Sequence, residues 1–261
     1  MGGQDAMVEM KTPQAIEAMA AAGAVVARAL AATRAAAAVG VTPGDLDAAA
    51  HAVIREAGAL SPFLHYQPPF APSPFPAVIC VSVNDVIVHG IPGDTPLRAG
   101  DLVSVDCGAT LDGWTGDAAI SFTVGAARPD DTALIDTTTA ALHAGIAAAV
   151  PGGRMGDIGA AIATVARAGG YGILEGFGGH GIGRHMHEDP PVPNEGCPGR
   201  GLRLREGLVL ALEPMLLAGG RDTFHTDPDG WSLRTRDGSR AAHVEHTVAI
   251  TADGPRILTR L

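Results

Sequence analysis

The stretch Leu97-Arg98-Ala99-Gly100-Asp101-Leu102-Val103-Ser104-Val105-Asp106 has a counterpart in Leu204-Arg205-Glu206-Gly207-Leu208-Val209-Leu210-Ala211-Leu212-Glu213. Each copy opens on Leu-Arg-x-Gly, runs into an apolar strand and ends in a carboxylate. Two further pairs occur in the same order. Asp45-Leu46 through Gly58 resembles Asp157-Ile158 through Gly169, and His89-Gly90-Ile91 resembles His180-Gly181-Ile182. A period of about 90–110 residues is too long for a solenoid repeat, so two copies predict one pseudo-twofold domain. A twofold axis would bring Asp106 and Glu213 face to face.

The elements around these repeats follow local signals. Thr12-Pro13 starts a helix by capping hydroxyl and first-turn proline, with Ile16, Met19, Gly23, Val26 and Leu30 at helical spacing before Gly40. A second helix is predicted from about Asp45 to Gly58, and a proline-rich loop from Ser61 to Pro76. Strands follow at 78–83, 86–88, 102–107 and 118–124, the last two flanking an Asp112-Gly113 turn. The second half repeats the scheme. Helices are predicted over 131–150 and 157–169, and strands over 208–212 and 244–251. The expected boundaries are a flexible N-terminus over 1–11 and a single domain over 12–261, with pseudo-repeats of about 12–125 and 126–261.

Composition narrows the class. The 261 residues carry 18 Lys+Arg and 28 Asp+Glu, a net charge of −10, which opposes binding to phosphate backbones or an anionic membrane. Cys80, Cys107 and Cys197 are odd in number and widely spaced, so neither a disulfide framework nor a zinc knuckle is expected, and a reducing cytoplasm suits them. The N-terminus has no signal-peptide core, and Ala6 stands where a myristoylation pattern needs Ser or Thr. The apolar runs are expected to be too short to span a bilayer.

Four acids stand in apolar strand-like segments: Asp106, Asp117, Glu213 and Glu245. Burying such a cluster without cations is very costly. Two divalent metals sharing bridging carboxylates would neutralise it, with His180 as a nitrogen ligand between glycines. A mixed oxygen and nitrogen shell suits Mn, Fe, Co or Zn. The pattern points to a dinuclear hydrolase, against the rival of a core salt-bridge network.

The ordered motifs resemble those of type I methionine aminopeptidases of peptidase family M24. They are Asn84-Asp85-Val86-Ile87-Val88-His89-Gly90-Ile91-Pro92, Val103–Gly108, Asp112-Gly113-Trp114-Thr115-Gly116-Asp117, Gly178–Arg184, His187-Glu188-Asp189-Pro190, Glu213-Pro214-Met215 and Glu245-His246-Thr247. The resemblance covers nearly the whole chain from about Thr12. It implies an α+β pita-bread fold: a curved antiparallel sheet with two pseudo-twofold-related helix pairs. It also implies a metal-dependent hydrolase that removes the initiator methionine before a small second residue through a metal-activated hydroxide. Asp106, Asp117, His180, Glu213 and Glu245 would hold two divalent metal ions, with Asp117 and Glu245 bridging. His180 and Glu213 would complete one metal, and Asp106 the other. His89, His187 and Glu213 would be catalytic, with His89 on the scissile amide nitrogen, His187 on the oxyanion and Glu213 as general base. Cys80, Met186 and Trp231 match the apolar wall of the methionine pocket.

Partners implied by the resemblance are nascent polypeptide N-termini beginning with Met, met near the ribosome by a cytoplasmic monomer. Neither a zinc-binding N-terminal extension nor a long basic arm is expected to support docking there. The segment Leu64–Pro76 departs from the family by about six extra, proline-stiffened residues. Which of Tyr66, Phe70 and Phe75 lines the pocket stays open at this point. His51, His143, His225 and His243 are read as surface or packing residues, and His65 and His185 as neighbours of site motifs. His180 and His187, seven apart, would face opposite sides of one straight strand, so a bend after Gly183 is required. An Xaa-Pro aminopeptidase or prolidase shares the fold and is the second enzyme reading. A metal-free peptide- or RNA-binding relative is the third.

Overall fold

Residues 8–69 and 71–260 are described by the structure, a computed structural model. The first half holds helices α1 (Pro13–Ala36) and α2 (Pro43–Glu56), then strands β1 (Ile79–Val83), β2 (Val86–Val88), β3 (Leu102–Leu111) and β4 (Trp114–Thr123). The second half begins with α3 (Pro129–Ala148) and α4 (Met155–Ala168). It continues through β5 (Gly172–Ile173), β6 (Gly178–Gly181), β7 (Glu188–Pro193) and β8 (Val209–Leu212). Strands β9 (Met215–Leu217), β10 (Phe224–Thr226), β11 (Leu233–Thr235), β12 (Ala241–His243), β13 (Glu245–Thr251) and β14 (Gly254–Ile257) complete it.

The main sheet runs β1-β3-β4-β13-β8-β6-β7, with β14 on β13 and every pair antiparallel. Its centre is the β4–β13 contact, and the two Leu-Arg-x-Gly strands, β3 and β8, flank that centre on either side. Two further sheets of three strands each, β10-β11-β2 and β12-β9-β5, pack beside it, β12 against β3 and β4 and β2 against β1. Helix α1 packs on α2, and α3 on α4, each pair backing one half. The apolar core divides likewise. One cluster joins Val26, Leu46 and Ile54 to Val103 and Val105, and another joins Leu142, Ile158 and Ile162 to Leu210 and Val248.

The helix starts follow the local chemistry. Thr12 Oγ1 accepts from the Ala15 N–H. At the repeated positions, Asp45 reaches back to the Thr42 N–H and Asp157 to the Arg154 N–H. Helix α1 stops at Ala36, short of the expected Gly40, because Ala37 turns to an extended conformation and Gly40, at φ 91°, serves the next turn. Asp112 and Gly113, at φ 51° and 76°, make a tight turn that lets the β3–β4 ladder run out to Trp114, four residues before the expected start.

The expectation that no apolar run could cross a bilayer is corrected for α1. By length and composition its 24 residues qualify, with a mean hydropathy of 1.6 across the 18-residue window. Half of that window is buried inside the protein, where α1 lies against β3 and β4. Close approach needs glycine here: a Cβ at Gly116 would meet the Gly23 Cα at 2.9 Å. Residues 1–7 of the expected leading segment lie outside the described residues. Lys11 is buried and its Nζ donates to Glu188 (2.7 Å) and Glu9 (2.5 Å).

Candidate active site

Strand register places the four acids on one face of the sheet. Asp106 pairs with Ala119, which pairs in turn with Glu245 across the centre. Glu213 follows β8 by one residue, just past the Leu212–His246 pair, and so falls beside Glu245. Asp117 lies two residues from Ala119, on the same face by the period-2 rule. Thr247 fixes it there, its hydroxyl accepting from the Asp117 N–H (2.9 Å) and donating to the Asp117 carbonyl (2.7 Å). His180 pairs with Ala211, two residues before Glu213, and completes the group.

Each of these side chains lines one cavity of about 320 Å³. His180 Nδ1 donates to the Gly181 carbonyl at 2.9 Å, which leaves Nε2, 3.6 Å from Glu213 Oε1, free to ligate. Donor atoms of Asp117, His180 and Glu245 lie within 4.8 Å of one another. Asp106 Oδ1, Asp117 Oδ1 and Glu245 Oε1 are buried without a hydrogen-bond partner. The ion pairs that reach these acids among the described residues come from histidines alone, so the salt-bridge rival has no support. Orphaned carboxylate oxygens facing a neutral imidazole nitrogen are a donor set that fits divalent cations.

Electrostatics give the same picture. Burial pushes the Asp106 carboxyl up to about 7, and Asp117, Glu213 and Glu245 are raised well above the usual carboxylate range by burial and by one another. Burial pushes His180 down to about 3 and His89 to about 4, with the neighbouring His187 adding to both. The stability of the metal-free protein should carry this signature. Between about pH 4 and 7.5 the native acids and the depressed histidines act in opposite directions. Above about 7.5 the histidines are neutral in both states, while native carboxyls raised well above their usual range still hold protons that the unfolded chain has lost. Stability of the metal-free protein should therefore fall as the pH rises beyond about 7.5, and the melting-temperature gain from added Mn(II) should grow over that window. A gain independent of pH would contradict this placement of the acids.

Two further histidines, His89 and His187, line the same cavity. His89 adopts a left-handed φ of 59°, unusual for a non-glycine and of a kind concentrated at functional sites. Gly90, next in sequence, lets the chain pass close to β1, since a Cβ there would meet the Val81 carbonyl oxygen at 2.3 Å. The expected bend after Gly183 is a full reversal: β6 and β7 pair antiparallel and the intervening loop brings the His180 and His187 rings to 4.4 Å. His187 is solvent-exposed at the cavity mouth, and partial burial lowers its pKa. Its loop is braced by Glu188, which accepts from the His185 N–H and pairs with buried Lys11.

The cavity wall is apolar. Cys80 pairs directly with Asp106 and points to the same face. It clusters with Met186, Trp231, Phe63 and Phe75, and burial together with Asp106 raises its thiol well above the ordinary range. The proline-rich segment folds onto this wall: Trp231 Nε1 donates to the Ser73 carbonyl at 3.0 Å, and the Phe75 ring meets Trp231 edge-on at 5.1 Å. Tyr66 and Phe75 both line the cavity, while Phe70 lies outside the described residues. Phe63 and Phe177 line it too and had no sequence signal beyond being aromatic.

The remaining histidines divide. His51, His65, His143, His185 and His225 are exposed. His243 is not a surface residue. It is 2 % exposed, its Nε2 stands 3.6 Å from Glu213 Oε2 and 3.8 Å from Glu245 Oε2, and burial lowers its pKa to about 3.

A carboxylate and imidazole cluster on a pseudo-symmetric sheet defines a metal-binding class of protein, which the family comparison narrows to peptidases. The family model "Metallopeptidase family M24" matches residues 17–252. The chain belongs to metallopeptidase family M24 and, within it, to the methionine aminopeptidases. It is 55 % identical to Methionine aminopeptidase 1 of Mycobacterium tuberculosis, over 97 % of this chain and 95 % of that protein. Among solved structures, methionine aminopeptidase from Thermotoga maritima superposes with a TM-score of 0.93 at 38 % identity, covering 98 % of this chain and 100 % of that one. Prolidase from Pyrococcus furiosus, at 21 % identity and a TM-score of 0.75, shares the fold, and this chain spans 65 % of its length.

Proposed function

We propose that the protein removes N-terminal methionine from polypeptides whose second residue is small, acting as a cytoplasmic monomer on nascent chains near the ribosome. The observation that carries this reading is the convergence of four carboxylates, Asp117 and Glu245 buried and Asp106 and Glu213 half-buried, with His180 beneath an apolar cavity wall. Asp106, Asp117, His180, Glu213 and Glu245 would hold two divalent cations. Cations so held supply Lewis acidity that lowers the pKa of water and polarises the scissile carbonyl.

The protein's own groups do the rest. The wall of Cys80, Phe75, Met186 and Trp231 takes the unbranched thioether side chain, for which soft sulfur and aromatic edges are suited. The free α-amino group lies on the Asp106 side, which confines cleavage to the first residue. Glu213 takes the proton of the attacking water and returns it to the leaving amine. His187 at the mouth donates to the developing oxyanion, and His89 contacts the scissile amide nitrogen. The neutral state of both rings suits hydrogen bonding rather than charge pairing.

A peptide panel tests the reading. With added Mn(II) or Co(II), a Met-Ala peptide should be cleaved, while Met-Lys and Ala-Pro peptides should be spared. Preferential cleavage before proline would transfer the protein to the prolidase reading, and no cleavage of any Met-small peptide with several metals would refute it.

A further inference from the structure

We propose that His243 is a positioning residue for the metal-binding carboxylates, donating its Nε2–H to Glu213 and Glu245 from outside the ligand set. The inference rests on the assignment of those two glutamates to the metal centre. Its starting point is an unmet requirement: Nε2 of His243 is buried and has no hydrogen-bond partner. A buried donor left unsatisfied is destabilising, so a group able to accept must come within reach when the site is complete. The atoms in front of it are Glu213 Oε2 at 3.6 Å and Glu245 Oε2 at 3.8 Å, each a few tenths of an ångström beyond hydrogen-bond contact.

Two observations place the ring behind the carboxylates rather than beside them. Asp106, Asp117, His180, Glu213 and Glu245 all line the cavity, and His243 does not. The strands agree. His243 pairs with Met215 on β12–β9, and the next residue donates its N–H to the Pro214 carbonyl, so the imidazole approaches Glu213 from the Pro214-Met215 side. Its backbone is held firmly for that purpose. The Ser121 hydroxyl donates to the His243 carbonyl at 2.7 Å, and the His243 N–H reaches Ser121 Oγ at 3.0 Å and Ser104 Oγ at 3.3 Å. A donor so anchored fixes which oxygen of Glu213 faces the substrate water. Such outer partners commonly govern metal affinity and activity by about 10–100-fold.

The experiment compares wild-type protein with His243→Gln, His243→Asn and His243→Leu. A Gln amide N–H reaches about as far as His Nε2, an Asn amide falls short, and Leu has no donor. Titration calorimetry of the metal-depleted proteins with Mn(II) should show the Kd raised about 10–100-fold in His243→Leu and His243→Asn. His243→Gln should stay within about threefold of wild type. On a Met-Ala peptide at saturating metal, kcat should follow the same order while KM holds. If His243→Leu does not fold, the Gln and Asn pair carries the comparison. Wild-type affinity in His243→Asn or His243→Leu, or a Gln variant as weak as Asn, would overturn the proposal. So would a crystal structure of the metal-loaded protein with His243 Nε2 at about 2.0–2.2 Å from a metal ion, the distance of a ligand rather than of a positioning group. The peptidase reading stands or falls on wild-type turnover, whereas the calorimetric order tests His243 without it.

Discussion

Glu213→Gln is expected to lower kcat on a Met-Ala peptide by about 10²–10⁴-fold, the range spanned by a positioned acid–base group. The substitution keeps the side-chain length and an oxygen for metal, and removes the ability to take a proton. Its carbonyl is held by the Asn194 amide at 3.0 Å, and the strand before it is fully buried, so the backbone should not move. Metal binding should therefore weaken without being lost, and KM should change far less than kcat. Steady-state kinetics beside a metal titration of the variant separate the two effects. Full activity in the variant would mean that another group moves the proton.

His187→Ala is the second large effect, about 10²–10³-fold in kcat, as for removal of one oxyanion donor. His187 is at the mouth rather than in the core, so stability should change little while turnover collapses. Its ring packs against His180 and, at 5.4 Å, against Tyr66, and the Lys11–Glu188 pair holds the loop from below. The alanine variant should melt within a few degrees of wild type and bind the same amount of metal. A loss confined to KM would assign His187 to substrate docking instead of to the transition state.

The repeat was legible because both copies must end an apolar strand in a carboxylate, and nothing in an ordinary core explains Asp106 or Glu213 in such a setting. Helices were legible from caps and punctuation, within a few residues at their ends. The glycine-rich β6 was not, since Gly178–Gly181 has no side-chain alternation to read and is strand only through its neighbours. The placement of Lys11 was hidden as well, because its partner is 177 residues away in sequence.

Local sequence marks His243 only as a surface or packing residue, and the structure removes the surface alternative. The available signal was parity: a residue two positions before Glu245 tends to share its face. That rule could not reveal that the ring ends behind Glu213, which depends on the β12–β9 pairing. The aromatic wall was half legible. Trp231 matched a family position, whereas Phe63 and Phe177 reach the cavity from loops whose course only the tertiary structure gives.

The central claim is that this carboxylate cluster holds the metal that removes methionine. Its most direct test is titration of the metal-depleted protein with Mn(II), scoring free methionine released from a Met-Ala peptide at each metal-to-protein ratio. The account predicts no release without metal and a rise to a plateau as the site fills. Release unchanged by metal depletion, or none at any ratio with Mn, Co, Fe or Zn, would contradict it.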